Sequence, residues 1–126
     1  MEQIVRLDLG VAEAFDTRQL EELYQQLGQA RADDVICGVL EELATLLSMV
    51  ERCYREGRRQ DMRRHVNTLS QLAAQIGLPL VARVARDVIN CIDTGHTVPL
   101  AATLSRLVRA GEHSLVEIWD LKDMPI

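Results

Sequence analysis

Residues 57–77 read GRRQDMRRHVNTLSQLAAQIG, one amphipathic stretch set between two glycines. Projected at about 100° per residue, Met62, Val66, Leu69, Ala73 and Ile76 fall on one stripe, the face that packs inward. Asn67 points well away from that stripe. Its neighbours at three- and four-residue spacing are Arg63, Arg64, Ser70 and Gln71. The helix therefore pairs a core face with a polar, basic face centred on Asn67. Its one acid, Asp61, lies toward the helix start.

The flanking sequence repeats this pattern. Asp16 or Thr17 is a suitable N-cap, with Glu21 at capping-box distance, for a short helix over 17–27 that ends at Gly28. Its inward residues are Leu20, Leu23, Tyr24 and Leu27. A second helix is expected to open at Asp33 or Asp34 and run to about Glu56. Ile36, Val39, Leu40, Leu43, Leu47, Val50 and Tyr54 recur along it at threes and fours. Gly77 ends the third helix, and Pro79 suits the first turn of a fourth, over 79–93. Thr97 is expected to cap a fifth helix that reaches about Leu121. Gly111 inside that helix costs about 1 kcal/mol relative to alanine and marks a bend or a close approach. Residues 1–14 read as an arm lying against the bundle, and 122–126 as a tail. The connections are short, so successive helices should be antiparallel neighbours. The expected fold is all-α: a single domain over 1–126, built as an up-down-up-down antiparallel four-helix bundle with a short additional N-terminal helix.

Composition narrows the functional classes. The net charge of −5 argues against a general nucleic-acid binder. Aromatic residues are scarce (Phe15, Tyr24, Tyr54 and Trp119), which disfavours base stacking and sugar binding. The N-terminus is too short and charged for a signal peptide. No apolar run approaches the roughly 20 residues of a membrane span. The expected location is the cytoplasm. Cys37, Cys53 and Cys91 form no CxxC pair and each falls in an apolar-periodic segment, so small buried roles are expected of them. No HExxH and no paired Glu-x-x-His suggest a metal, and no glycine-rich loop suggests a phosphate cradle. No metal and no cofactor are expected, and no enzyme activity.

Nearly the whole chain resembles the histidine-containing phosphotransfer (HPt) domains of bacterial multistep phosphorelays. The family's opening phrase, FD…L..L…LG, corresponds to Phe15, Asp16, Leu20, Leu23, Leu27 and Gly28. Its central segment, GDxxxLxxxAHxLKGxxxxxG, lies on residues 57–77 without gaps. Gly57 and Gly77 take the outer glycines, and Met62, Leu69 and Ile76 the apolar positions. The resemblance also implies where this chain departs from the family. The phosphorylated histidine falls on Asn67, the following lysine on Ser70 and the next glycine on Gln71.

Each departure removes chemistry. An imidazole is a nitrogen nucleophile with a pKa near neutrality, whereas an amide nitrogen is not nucleophilic and only hydrogen-bonds. Serine does not supply the lysine's point charge beside a phosphoryl group. Gln71 fills room that glycine leaves. The resemblance thus implies a pseudo-HPt protein of two-component signalling, which binds a receiver domain or a histidine kinase without accepting a phosphoryl group. The docking surface it implies is Gln60, Arg63, Arg64, Asn67, Ser70, Gln71 and Ala74, with Arg83 and Arg86 at its edge.

Two other readings stay open. One is an active phosphotransfer protein phosphorylated on His65, which lies about 200° of helix from Asn67, at the border of the core stripe. The other is an adaptor or self-association module that shares only the fold. The expected state is a monomer or weak dimer. His96 and His113 read as surface residues. The arginines of the 57–77 face also have a plainer reading, as an ordinary solvated helix surface.

Overall fold

The computed structural model of the chain describes residues 17–123. The arm, Phe15, Asp16 and the last three residues of the tail lie outside them. The described residues form five α-helices and no strand: α1 Thr17–Leu27, α2 Gln29–Arg55, α3 Arg59–Gln75, α4 Pro79–Thr94 and α5 Thr97–Asp123. Each helix packs on the next, α1 chiefly on α2, and α5 returns to α2 to close a ring of four. No described helix is long and apolar enough to cross a membrane.

The core is the set of residues that the threefold and fourfold spacings select. Ile36, Leu40, Leu43, Leu47 and Val50 of α2 meet Met62, Val66, Leu69 and Ala73 of α3. Val81, Val84 and Val88 of α4 and Leu100, Leu104, Leu107 and Ile118 of α5 complete the cluster. Burial of one such side chain contributes about 1.5–3 kcal/mol, so this cluster is the main source of stability.

The helix ends are closed by backbone bonds. At the end of α2, Arg58 N–H donates to Cys53 O at 2.9 Å and Gly57 N–H to Tyr54 O at 3.2 Å. The same pair of bonds closes α3, from Leu78 to Ala73 O at 2.7 Å and from Gly77 to Ala74 O at 3.4 Å. This is the Schellman arrangement, and it satisfies carbonyls that the helix leaves without partners. Leu78, the residue after the glycine, is 1% exposed and anchors the turn in the core. Pro79 occupies the first turn of α4, where its missing N–H costs nothing.

Two boundaries differ from expectation. α2 begins at Gln29, not at Asp33 or Asp34, because Gly28 alone turns the chain with a left-handed φ of 81°. The polar run QARADD resembles a linker, yet Ala32 within it is fully buried. Thr97 is already helical, and Leu100 N–H donates instead to His96 O at 3.1 Å. The N-cap position is therefore His96, one residue earlier, whose carbonyl accepts the first bond of the helix.

α1 is held at three points. Leu20 enters the core at 4% exposure. The Tyr24 hydroxyl donates to Asp33 Oδ1 at 2.6 Å. Burial first, and then this bond, push the Tyr24 phenol up to about 12. Gln19 Nε2 donates to Ala74 O at 2.9 Å and to Gln75 O at 2.7 Å, taking up carbonyls at the end of α3.

Gly111 marks a close approach. A Cβ built there would lie 2.6 Å from Leu47 Cδ1, so α5 and α2 meet through the missing side chain. Leu47→Ala is expected to destabilise the protein by about 2–5 kcal/mol. Adding Gly111→Ala to that variant should recover part of the loss, since the new methyl enters the vacated space while helix propensity improves by about 1 kcal/mol. Denaturant unfolding of the two single variants and the double one measures this coupling. Purely additive effects would show that the two helices do not meet there.

Candidate functional site

α3 presents its outward face because its inward one is wholly committed. Met62, Val66, Leu69 and Ala73 are each 0% exposed. On the far side, Gln60, Arg64, Asn67, Thr68, Gln71, Ala74 and Gln75 are exposed. Asn67 lies near the middle of this face, and its side chain makes no hydrogen bond to another described residue. Ser70 is half-buried toward one flank.

Three shallow recesses follow the face. The first, of about 290 Å³, is lined by Gln60, Asp61, Arg63, Arg64 and Asn67. A second, of about 510 Å³, lies over Thr68, Gln71, Leu72, Ala74 and Gln75. The third, of about 250 Å³, lies where the end of α3 meets the start of α4 and includes Gln19, Ala74, Pro79, Ala82 and Arg86. The structure thus brings together Gln60, Arg63, Arg64 and Asn67, and separately Gln71 with Ala74 and Ala74 with Arg86.

The charge of this face differs from the reading in which its arginines stand free. Arg63 grips Asp93 of α4 with two bonds, Nε to Oδ1 at 2.7 Å and an Nη to Oδ2 at 3.0 Å. Arg64 pairs with Asp61. Arg58 also reaches Asp61, with Nε to Oδ2 at 2.9 Å, and Glu56 at 3.3 Å. Three guanidiniums thus meet three carboxylates, and the first half of the face is close to neutral. The Arg58 hydrogen bond holds the Asp61 carboxyl below the usual range, and the Arg63 fork does the same for Asp93. Arg59 turns the other way, with its guanidinium 4.9 Å from the centre of the Tyr54 ring and a bond to Tyr54 O at 3.1 Å.

Arg83 and Arg86 are exposed and form no ion pair among the described residues. They do not share one direction. Arg86 lies about 20° of helix from Asp93, on the side turned to α3. Arg83 lies about 60° further round, toward the side where Asp87 faces Arg106 of α5 at 3.8 Å. Arg83 lines none of these three recesses, whereas Arg86 shares one with Ala74.

His65 is half-buried on the flank opposite Asn67. His96 is exposed, with Nδ1 3.3 Å from the Thr94 hydroxyl. His113 is exposed too, and its Nε2 lies 3.8 Å from Glu117. Among the described residues no three His, Cys, Asp or Glu side chains cluster so as to hold a metal ion. The arrangement offers hydrogen-bonding amides and a small apolar recess. Sequence reasoning missed Asp93, which neutralises Arg63 from another helix, and Gln19, which completes the rim beyond Ala74. Neither carries a local signal, because both pairings arise from packing between helices.

No protein-family model, curated protein or solved structure matches the chain.

The Arg63 fork makes a titration measurable. Its carboxylate partner has a depressed folded pKa, so the pair's contribution is present above the usual carboxylate range, about 3.9, and is lost as pH falls through the folded value. In Arg63→Ala the Asp93 carboxyl should titrate higher, near that ordinary value, while Asp61 keeps its depressed one. Carboxyl-carbon NMR reads both. An Asp93 titration identical in wild type and variant would remove this pair from the site.

Proposed function

We propose that the chain is a pseudo-HPt protein, an up-down-up-down antiparallel four-helix bundle with an added N-terminal helix. It binds a receiver domain or a histidine kinase through the outward face of α3 and accepts no phosphoryl group. The observation that carries this reading is the position of Asn67, its side chain exposed and without a hydrogen-bond partner among the described residues, midway along a helix framed by Gly57 and Gly77. That is where the motif resemblance expects the reactive imidazole. An amide there offers no nucleophile, so what remains is recognition.

The physical form of the face supports a docking role. It is open and polar, with the small Ala74 leaving room at its lower half. Gln60, Asn67 and Gln71 offer both donors and acceptors, which suits a partner surface rather than an enclosed small molecule. Ser70, half-buried, flanks this surface instead of projecting from its centre. In this reading the protein works by occupying a partner: it competes, sequesters or holds a signalling complex together.

The test is direct. Isolated receiver domains and kinase dimerisation domains are titrated against the chain by calorimetry. One or more should bind, and Ala74→Arg, which fills the face with a long cation, should abolish binding while circular dichroism stays unchanged. In parallel, phosphorylated receiver or kinase should leave no acid-labile label on the wild type. Asn67→His combined with Ser70→Lys and Gln71→Gly should acquire one. Label on wild type that disappears in His65→Ala would replace this reading with active phosphotransfer. A dimer that captures no receiver and no kinase would favour a self-associating module.

A further inference from the structure

We infer that a receiver domain docked on this face is read by Arg86, through a carboxylate set beside an apolar side chain, and not by Arg63 or Arg64. This rests on the docking role proposed above and assigns its electrostatics.

The sequence places four arginines near Asn67 in a way that makes Arg63 and Arg64 the natural contacts for an acidic partner. The ion pairs reverse that order. Arg63 already holds Asp93 through both oxygens of the carboxylate, and Arg64 shares Asp61 with Arg58. A partner's carboxylate approaching Arg63 meets Asp93 as well, so the attraction is largely cancelled and the existing fork must be broken to form a new one. Arg86 has no such competitor among the described residues.

Position adds a second reason. Arg86 is at the recess of about 250 Å³ whose walls include Ala74, Pro79, Ala82 and Gln19. Ala74 and Pro79 are exposed, so the apolar wall is accessible from the α3 face. An apolar side chain of the partner enters there, and an adjacent carboxylate meets the guanidinium, which can bind it with two parallel bonds. Arg83, turned about 60° toward α5, adds to the field and makes no contact at the recess. The partner's acidic group therefore lies over the end of α3, beyond Asn67, instead of over its beginning.

Receiver domains are titrated against wild type and three variants by calorimetry, with backbone NMR on the labelled chain. Arg86→Glu should weaken binding by about tenfold or more, and Arg63→Ala should stay within about threefold. Asp93→Asn frees the Arg63 charge and should tighten binding, an increase that general damage to the fold does not produce. Raising the salt should weaken wild type more than Arg86→Glu. Shift changes should centre on Ala74, Gln71 and Arg86. Wild-type affinity in Arg86→Glu together with loss of binding in Arg63→Ala would overturn this assignment and leave the docking role standing. Failure of every receiver to bind the wild type would overturn both.

Discussion

Met62, Val66, Leu69 and Ala73 form one line along α3 that no water reaches. The rest of the structure depends on that seam, because it sets the rotation of the helix. Turning α3 by one residue, about 100°, would carry Met62 and Val66 toward solvent and bring Asn67 nearer the core. With each buried apolar side chain contributing about 1.5–3 kcal/mol, the rotation is opposed by several side chains at once. Burying an unpartnered amide would add a further cost. Asn67 faces outward for the same reason that Val66 faces inward.

Most of the fold is legible in the residues because the apolar spacing keeps one period through every helix. Leu40, Leu43, Leu47 and Val50 announce α2 as plainly as Val81, Val84 and Val88 announce α4, and all are buried. The start of α2 is harder to read. QARADD carries the composition of a linker, and a glycine before it has two meanings, the end of one helix or the corner between two. Only the burial of Ala32 and the dihedral of Gly28 separate them. The position of His65 on a flank is predicted by the helix wheel alone. The pairing of Arg63 with Asp93 is different in kind, since residues thirty apart meet only through the register of two helices. The charge of the face is thus only partly legible: the pairs on Asp61 are local, at three-residue spacing, whereas the neutralisation of Arg63 is a tertiary property.

Elsewhere the packing is less complete. Ser114 is fully buried in α5, and its hydroxyl has no hydrogen-bond partner among the described residues. An unsatisfied buried hydroxyl costs about 1–3 kcal/mol. Ser114 lies one turn beyond Gly111, which touches Leu47 across the α5–α2 contact. This side of the ring therefore holds both a close approach and an unmet polar group. The α3–α4 side, by contrast, combines a dry seam with the Arg63–Asp93 fork.

The clasp of Gln19 on the carbonyls of Ala74 and Gln75 ties the first helix to the last turn of α3. Leu20, the next residue, is seated in the core at 4% exposure. The placement of α1 and the shape of the recess beside Arg86 are therefore set together, because Gln19 is one wall of that recess.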